Sequence, residues 1–138
     1  MLQSCRYLPP TTIRVVAVQY GKDHSEALTH ARINATRQAI PAETAIQIIR
    51  TYSQPLRELL ASCEDFANRQ APQIITTARE RSTQALTSEV DRLKALAQVN
   101  PNVRAEEIEF MELQREALRV ALDSASLRLD ALRVVVAT

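Results

Sequence analysis

Residues 100–138 read NPNVRAEEIEFMELQREALRVALDSASLRLDALRVVVAT. The Asn100-Pro101-Asn102 step stops one helix and restarts another, and either asparagine can cap the new helix through its side-chain oxygen. Glu106, Glu107 and Glu109 load the opening turns with negative charge, which complements the positive end of the helix dipole. Ile108, Met111, Leu118, Leu122, Ala125, Leu129 and Leu132 then repeat at near-heptad spacing, with Arg115 interrupting the stripe at one step. This reads as a helical arm over 104–131. The closing RVVVA favours an extended chain, because three successive β-branched valines are stiff in a helix and suit a pleated surface. A strand is therefore expected over 133–137.

Upstream the same periodicity continues over 42–99. Pro41 suits the start of a helix, where its missing N–H costs little. Ala45, Ile46, Ile49 and Tyr52 recur at helical spacing, followed by Leu56, Leu59, Leu60, Cys63, Phe66 and Ala67. Pro55 can break or restart this helix. Pro72 interrupts again, yet Ile74, Ile75, Ala78 and Ala85 resume on roughly the same face, as do Leu86, Val90, Leu93 and Leu96. The spacing predicts a long helix kinked at Pro72, with two helices broken there as the alternative. A short connection between two long amphipathic helices makes them antiparallel neighbours. The expected seam of this hairpin is Leu86, Val90, Leu93, Leu118, Leu122 and Leu129.

The remaining strand signal is TTIRVVAV, residues 11–18, which Gly21 closes as a turn residue. Residues 1–10 read as an irregular lead-in, residues 22–26 as polar loop, and residues 27–39 as a short helix. The fold class is thus mainly α with a small β component (α+β): one module over 1–138, strands near both ends, helical arms over 42–99 and 104–131. An isolated two-stranded pair is marginal. The two strands either pair over the helices or extend a sheet belonging to other sequence or a second copy. Two short strands without a sheet suggest a piece of a larger protein or one completed by a partner. If Val135 is buried in such a sheet, Val135→Asp costs several kcal/mol.

Composition excludes more than it proposes. The chain has a single glycine, no tryptophan and 4% aromatic residues. That argues against an all-β fold and against a glycine-rich nucleotide loop. Seventeen basic residues balance sixteen acidic ones, interleaved as on solvated helix faces, so no basic stripe marks nucleic acid. His24 and His30, the two histidines, match no metal-ligand spacing, with or without Cys5 and Cys63. Glu106, Glu107, Glu109 and Glu112 serve capping and solubility, with an acidic face for a basic partner as the functional alternative. Arg128 and Arg133 read as dipole partners of the last helix end, and Asp65 with Arg69 as a helix-surface pair. Tyr7, Tyr20 and Tyr52 are too scattered for a base-stacking platform. No catalytic, cofactor-binding or metal-ligating residue is assigned. The longest aliphatic run, Val134 to Ala137, is far too short to span a bilayer, and two unstapled cysteines fit a reducing cytoplasm.

Two stretches carry a family resemblance: YLPPTTIRVVAV, Tyr7 to Val18, and LKALAQVNPNVRAEEIEFMELQREALRVALDSASLRLDALRVVVAT, Leu93 to Thr138. Together they resemble the extreme C-terminal region of the RapA family, bacterial RNA polymerase-associated, helicase-like ATPases of the Swi2/Snf2 group. The NPN step and the closing RLDALR-plus-valines are the most specific part, whereas residues 21–92 match only in being helical. The resemblance implies a non-catalytic structural or interaction module, with ATP and Mg used elsewhere in a full-length protein that also binds DNA. The implied partners are other domains of the same polypeptide and, through the whole protein, RNA polymerase, whose recycling it promotes. A free-standing helical adaptor that forms a homodimer through the hairpin is the competing reading.

Overall fold

A computed structural model of the chain describes residues 6–137. It is mainly helical with one small antiparallel sheet. The elements are β1 (Ala17–Val18), β2 (Lys22–Asp23), α1 (His30–Ala35), α2 (Ala42–Thr51), α3 (Ser53–Val99) and α4 (Ala105–Asp123). The described residues gather into two compact units, 6–11 with 71–137 and 12–70, and α3 contributes residues to both.

In the unit of residues 12–70, the strand expected over 11–18 shrinks to β1. Ala17 faces Asp23 and Val18 faces Lys22. The loop between them, Gln19–Gly21, turns on two left-handed residues, Tyr20 at φ 70° and Gly21 at φ 68°. A Cβ at position 21 would also lie 2.7 Å from Ser62 Oγ, so that hydroxyl would have to move aside. Residues 13–16 stay half-buried without being assigned to a strand, and the backbone groups of Val16 are met by the loop after β2. Ser25 Oγ accepts from the Val16 amide at 2.9 Å, and the His24 amide donates to the Val16 carbonyl at 2.8 Å.

The arm expected over 42–99 is two helices. Tyr52, at φ −103° and ψ 22°, bends the chain between α2 and α3. Backbone bonds nevertheless cross the bend, Tyr52 to Ile48 and Leu56 to Tyr52, both at 2.9 Å. Pro55 falls in the first turn of α3, where no intrahelical partner awaits its amide. Pro72 lies inside α3, which runs on through it. The proline forgoes one i→i−4 bond, and Ile74, Ile75 and Ala78 keep their sides turned from solvent beyond it.

In the other unit, α3 and α4 form the antiparallel hairpin. Leu86, Leu118, Leu122 and Ala78 make one buried cluster, with Tyr7, Leu8 and Met111 packed against it. Val90 is buried at 1% exposure and Leu93 is half-buried. Each large aliphatic side chain removed from water contributes about 1.5–3 kcal/mol, so these few positions hold the hairpin. Leu129, expected in the seam, is 58% exposed. It lies beyond the end of α4, which stops at Asp123 rather than 131. The Ser124 hydroxyl donates to the Ala121 carbonyl at 2.9 Å, and the Ala125 amide takes up Leu122 at 3.2 Å, closing the last turn. Residues 125–137 are neither helix nor strand. The strand expected over 133–137 is not formed. Val134, Val135 and Val136 are 40%, 58% and 51% exposed.

Candidate functional site

Two polar constellations and two exposed apolar surfaces stand out. The first constellation lies in residues 12–70. Arg14 donates to the carbonyls of Ser25 (3.3 Å) and Leu28 (2.5 Å), clasping the extended chain to the loop that follows β2. Asp23 Oδ1 accepts from both the amide and the hydroxyl of Ser25, at 2.9 and 2.5 Å. Those two bonds hold the Asp23 carboxyl below the ordinary carboxylate range. The donors and acceptors in this clasp answer one another, so it fixes loop shape and leaves no group aimed at a ligand.

The second constellation runs along the hairpin. Arg79 pairs with Asp123 at 2.8 Å and Lys94 with Glu112 at 2.7 Å. Between them Arg115 Nη1 reaches Thr87 Oγ1 at 3.4 Å. The arginine that interrupts the apolar stripe is therefore a cross-hairpin donor, a role visible only once α3 supplies the threonine. These partners descend α3 as they ascend α4, which pins the antiparallel register. Arg119 also holds Glu116 and Asp123, at 2.6 and 2.9 Å. Glu112 is held below its usual range by the Lys94 hydrogen bond, and Glu116 by that of Arg119. Ser82, buried at 3%, sits in the seam because its hydroxyl donates to the Arg79 carbonyl of its own helix at 2.9 Å. Sequence periodicity passes over such a residue, since its type is polar.

Other expectations are revised. Neither Asn100 nor Asn102 caps α4: Asn100 Oδ1 accepts from the Asn102 amide at 3.0 Å, and Arg104 holds the N-cap without a side-chain bond. The short side chain satisfies a local turn before the helix begins. Arg128 and Arg133 lie beyond α4, which ends at Asp123. Arg69 stacks over the Phe66 ring at 5.5 Å, and no Asp65–Arg69 pair forms among the described residues. His24 is half-buried beside β2, whereas His30 opens α1 and is exposed. Cys5 lies outside the described residues. Among the described residues no group of three or more His, Cys, Asp or Glu side chains could hold a metal. A cleft of about 100 Å³, lined by Ser82, Thr83, Leu86, Arg115, Glu116 and Arg119, is too small for a nucleotide. Among the described residues no helix is long and apolar enough to cross a membrane.

The first exposed apolar surface is the segment after α4, where Leu127, Leu129 and Leu132 are 42%, 58% and 62% exposed and the valines follow. The second is the outer side of α4 itself. Phe110, Leu113 and Val120 on α4 are 58%, 63% and 54% exposed.

The chain is 34% identical over 137 residues to the RNA polymerase-associated protein RapA of Erwinia tasmaniensis, covering 99% of this chain and 14% of that protein. It thus spans about one-seventh of that relative's length. Residues 1–137 match the family model described as RNA polymerase recycling family C-terminal, and the chain belongs to that family.

Proposed function

We propose that the chain is the non-catalytic C-terminal structural and interaction module of a longer, cytoplasmic, RNA polymerase-associated, ATP-hydrolysing helicase-like protein that promotes polymerase recycling. The family match over residues 1–137 carries this reading. ATP and Mg belong, on this reading, to the rest of the polypeptide. The chain's own contribution is geometric. The α3–α4 hairpin is followed by an apolar segment, residues 127–136, that is neither helix nor strand and exposes Leu129, Leu132 and Val135. Such a segment can add to a sheet edge, main-chain bonds supplying affinity and alternate side chains specificity. The partner edge is placed in the upstream domains of the same polypeptide.

The test compares the longer protein with a version lacking residues 124–138. Loss of multi-round transcription stimulation, with ATP turnover retained, is the expected result. Unchanged stimulation, or ATP hydrolysis by the isolated 138-residue chain, would overturn the reading.

A further inference from the structure

Helix α3 is 47 residues long, and its support is uneven along that length. Its buried residues, Ala78, Ser82, Leu86 and Val90, all follow Pro72. Well before Pro72, Ser62, Cys63, Phe66 and Ala67 are half-buried in the 12–70 unit. Between these stretches Asn68, Arg69, Gln70, Pro72 and Gln73 are exposed, and Ala71 is half-buried.

The same turns carry two weak points in the backbone ladder. Pro72 has no amide to give the Asn68 carbonyl, and its ring crowds that carbonyl. One turn later the Thr77 hydroxyl donates to the Gln73 carbonyl at 2.9 Å. It shares an acceptor that the helix assigns to the Thr77 amide, and such back-bonding bends helices.

The division of the fold falls at this spot. One unit ends at Gln70 and the other resumes at Ala71, within two residues of Pro72. The chain passes between the units at one further place, Thr11 to Thr12. There residues 9–12 are exposed and neither helix nor strand. The Thr11 hydroxyl donates to the Pro9 carbonyl, two residues back, at 2.7 Å. Sharp kinks in helices have local causes, of which proline is the commonest. Hinges are likewise a few residues that absorb the change in backbone angles.

We propose that α3 flexes at Pro72 and that this turn is the hinge between the two units. Each unit keeps its own packing as the helix bends, and the exposed 9–12 link follows the motion. Nothing in this inference rests on the family reading.

The experiment measures distances between paired spin labels in the 138-residue chain, with Cys5→Ser and Cys63→Ser as background. Lys22→Cys and Glu109→Cys, both at exposed positions, place one label in each unit. Gln84→Cys and Gln98→Cys place both labels on α3 within the hairpin, about 21 Å apart along the axis. The cross-unit pair is expected to give a broad distribution, which Pro72→Ala narrows at least about twofold by restoring the missing bond. The hairpin pair is expected to be narrow with either residue at position 72. In hydrogen exchange, the amides of residues 73–76 are expected to exchange at least about tenfold faster than those of 84–90, and to slow in Pro72→Ala. A narrow cross-unit distribution in the wild type overturns the proposal, whatever the variant does. So does a broad one that Pro72→Ala leaves unchanged, since the motion then lies elsewhere. A hairpin pair as broad as the cross-unit pair, or equal protection at 73–76 and 84–90, overturns it as well. None of these readouts depends on polymerase recycling, so the two proposals fail separately.

Discussion

Helix α4 and the segment that follows it are built from similar residues and end in opposite places. Leu118 and Leu122 are 5% and 1% exposed; Leu127, Leu129 and Leu132 are 42%, 58% and 62% exposed. Both stretches are rich in leucine and arginine, and both place apolar residues at regular intervals. What separates them is a facing surface. Leu118 and Leu122 meet Leu86 and Ala78 across the hairpin, within one cluster. Beyond Asp123 the helix ends, and the leucines that follow keep much of their surface in solvent. Hydrophobicity supplies a reason to be buried; only a second element supplies the place.

Leu122→Ala should break the comparison most. It removes a fully buried side chain and leaves a cavity, so a loss of about 2–5 kcal/mol is expected in denaturant unfolding. A loss under about 1 kcal/mol would mean that the seam is as replaceable as the tail. Next comes Asp123→Asn, which disconnects Arg79 and Arg119 at once. The group is partly exposed, so about 1 kcal/mol or less is expected by urea melt. A larger cost would make the cross-hairpin pairs, rather than the leucines, the main hold on register.

Acid should act on the hairpin and spare the tail. Glu112, Glu116 and Glu89 all have carboxyls depressed by hydrogen bonds from Lys94, Arg119 and Arg92 respectively. A depressed folded-state pKa gives stability that is present above the unfolded value and lost as pH falls through the folded one. The melting temperature should therefore be flat near neutrality and fall once pH drops below the ordinary carboxylate range. A fall beginning near pH 6, well above that range, would implicate another group. The smallest effect is expected for Val135→Asp. With Val135 58% exposed, the change should move stability by less than about 0.5 kcal/mol in the 138-residue chain. The several kcal/mol expected for a buried strand should appear only when a partner edge is present. A large loss in the isolated chain would show that the tail is already packed.

Much of the local structure was legible in the residues. The NPN stop, the start of the second arm near Arg104, the short helix between 27 and 39 and the turn at Gly21 all follow from backbone chemistry that acts within a few residues. The seam was legible in part: Leu86, Leu118 and Leu122 stand out by period, whereas Ser82 hides because its hydroxyl is satisfied by its own helix. Arg115 was legible as an anomaly but not as a donor, since its partner lies 28 residues away on another helix. The outer stripe of α4 was present in the sequence but masked, because a helix with two apolar stripes shows less amphipathic contrast than a helix with one.

By itself the sequence determined that this chain is helical, that it turns back once near residue 100, and that its valine-rich end avoids helix. These follow from torsional preferences and periodicity, which each residue carries with it. Only the tertiary structure decided where α4 stops, which leucines are buried, and that residues 13–16 are held by a clasp while the closing valines are held by no ladder. Those outcomes depend on whether a second surface arrives to remove apolar groups from water and to pair the backbone, and no stretch of chain encodes its neighbour.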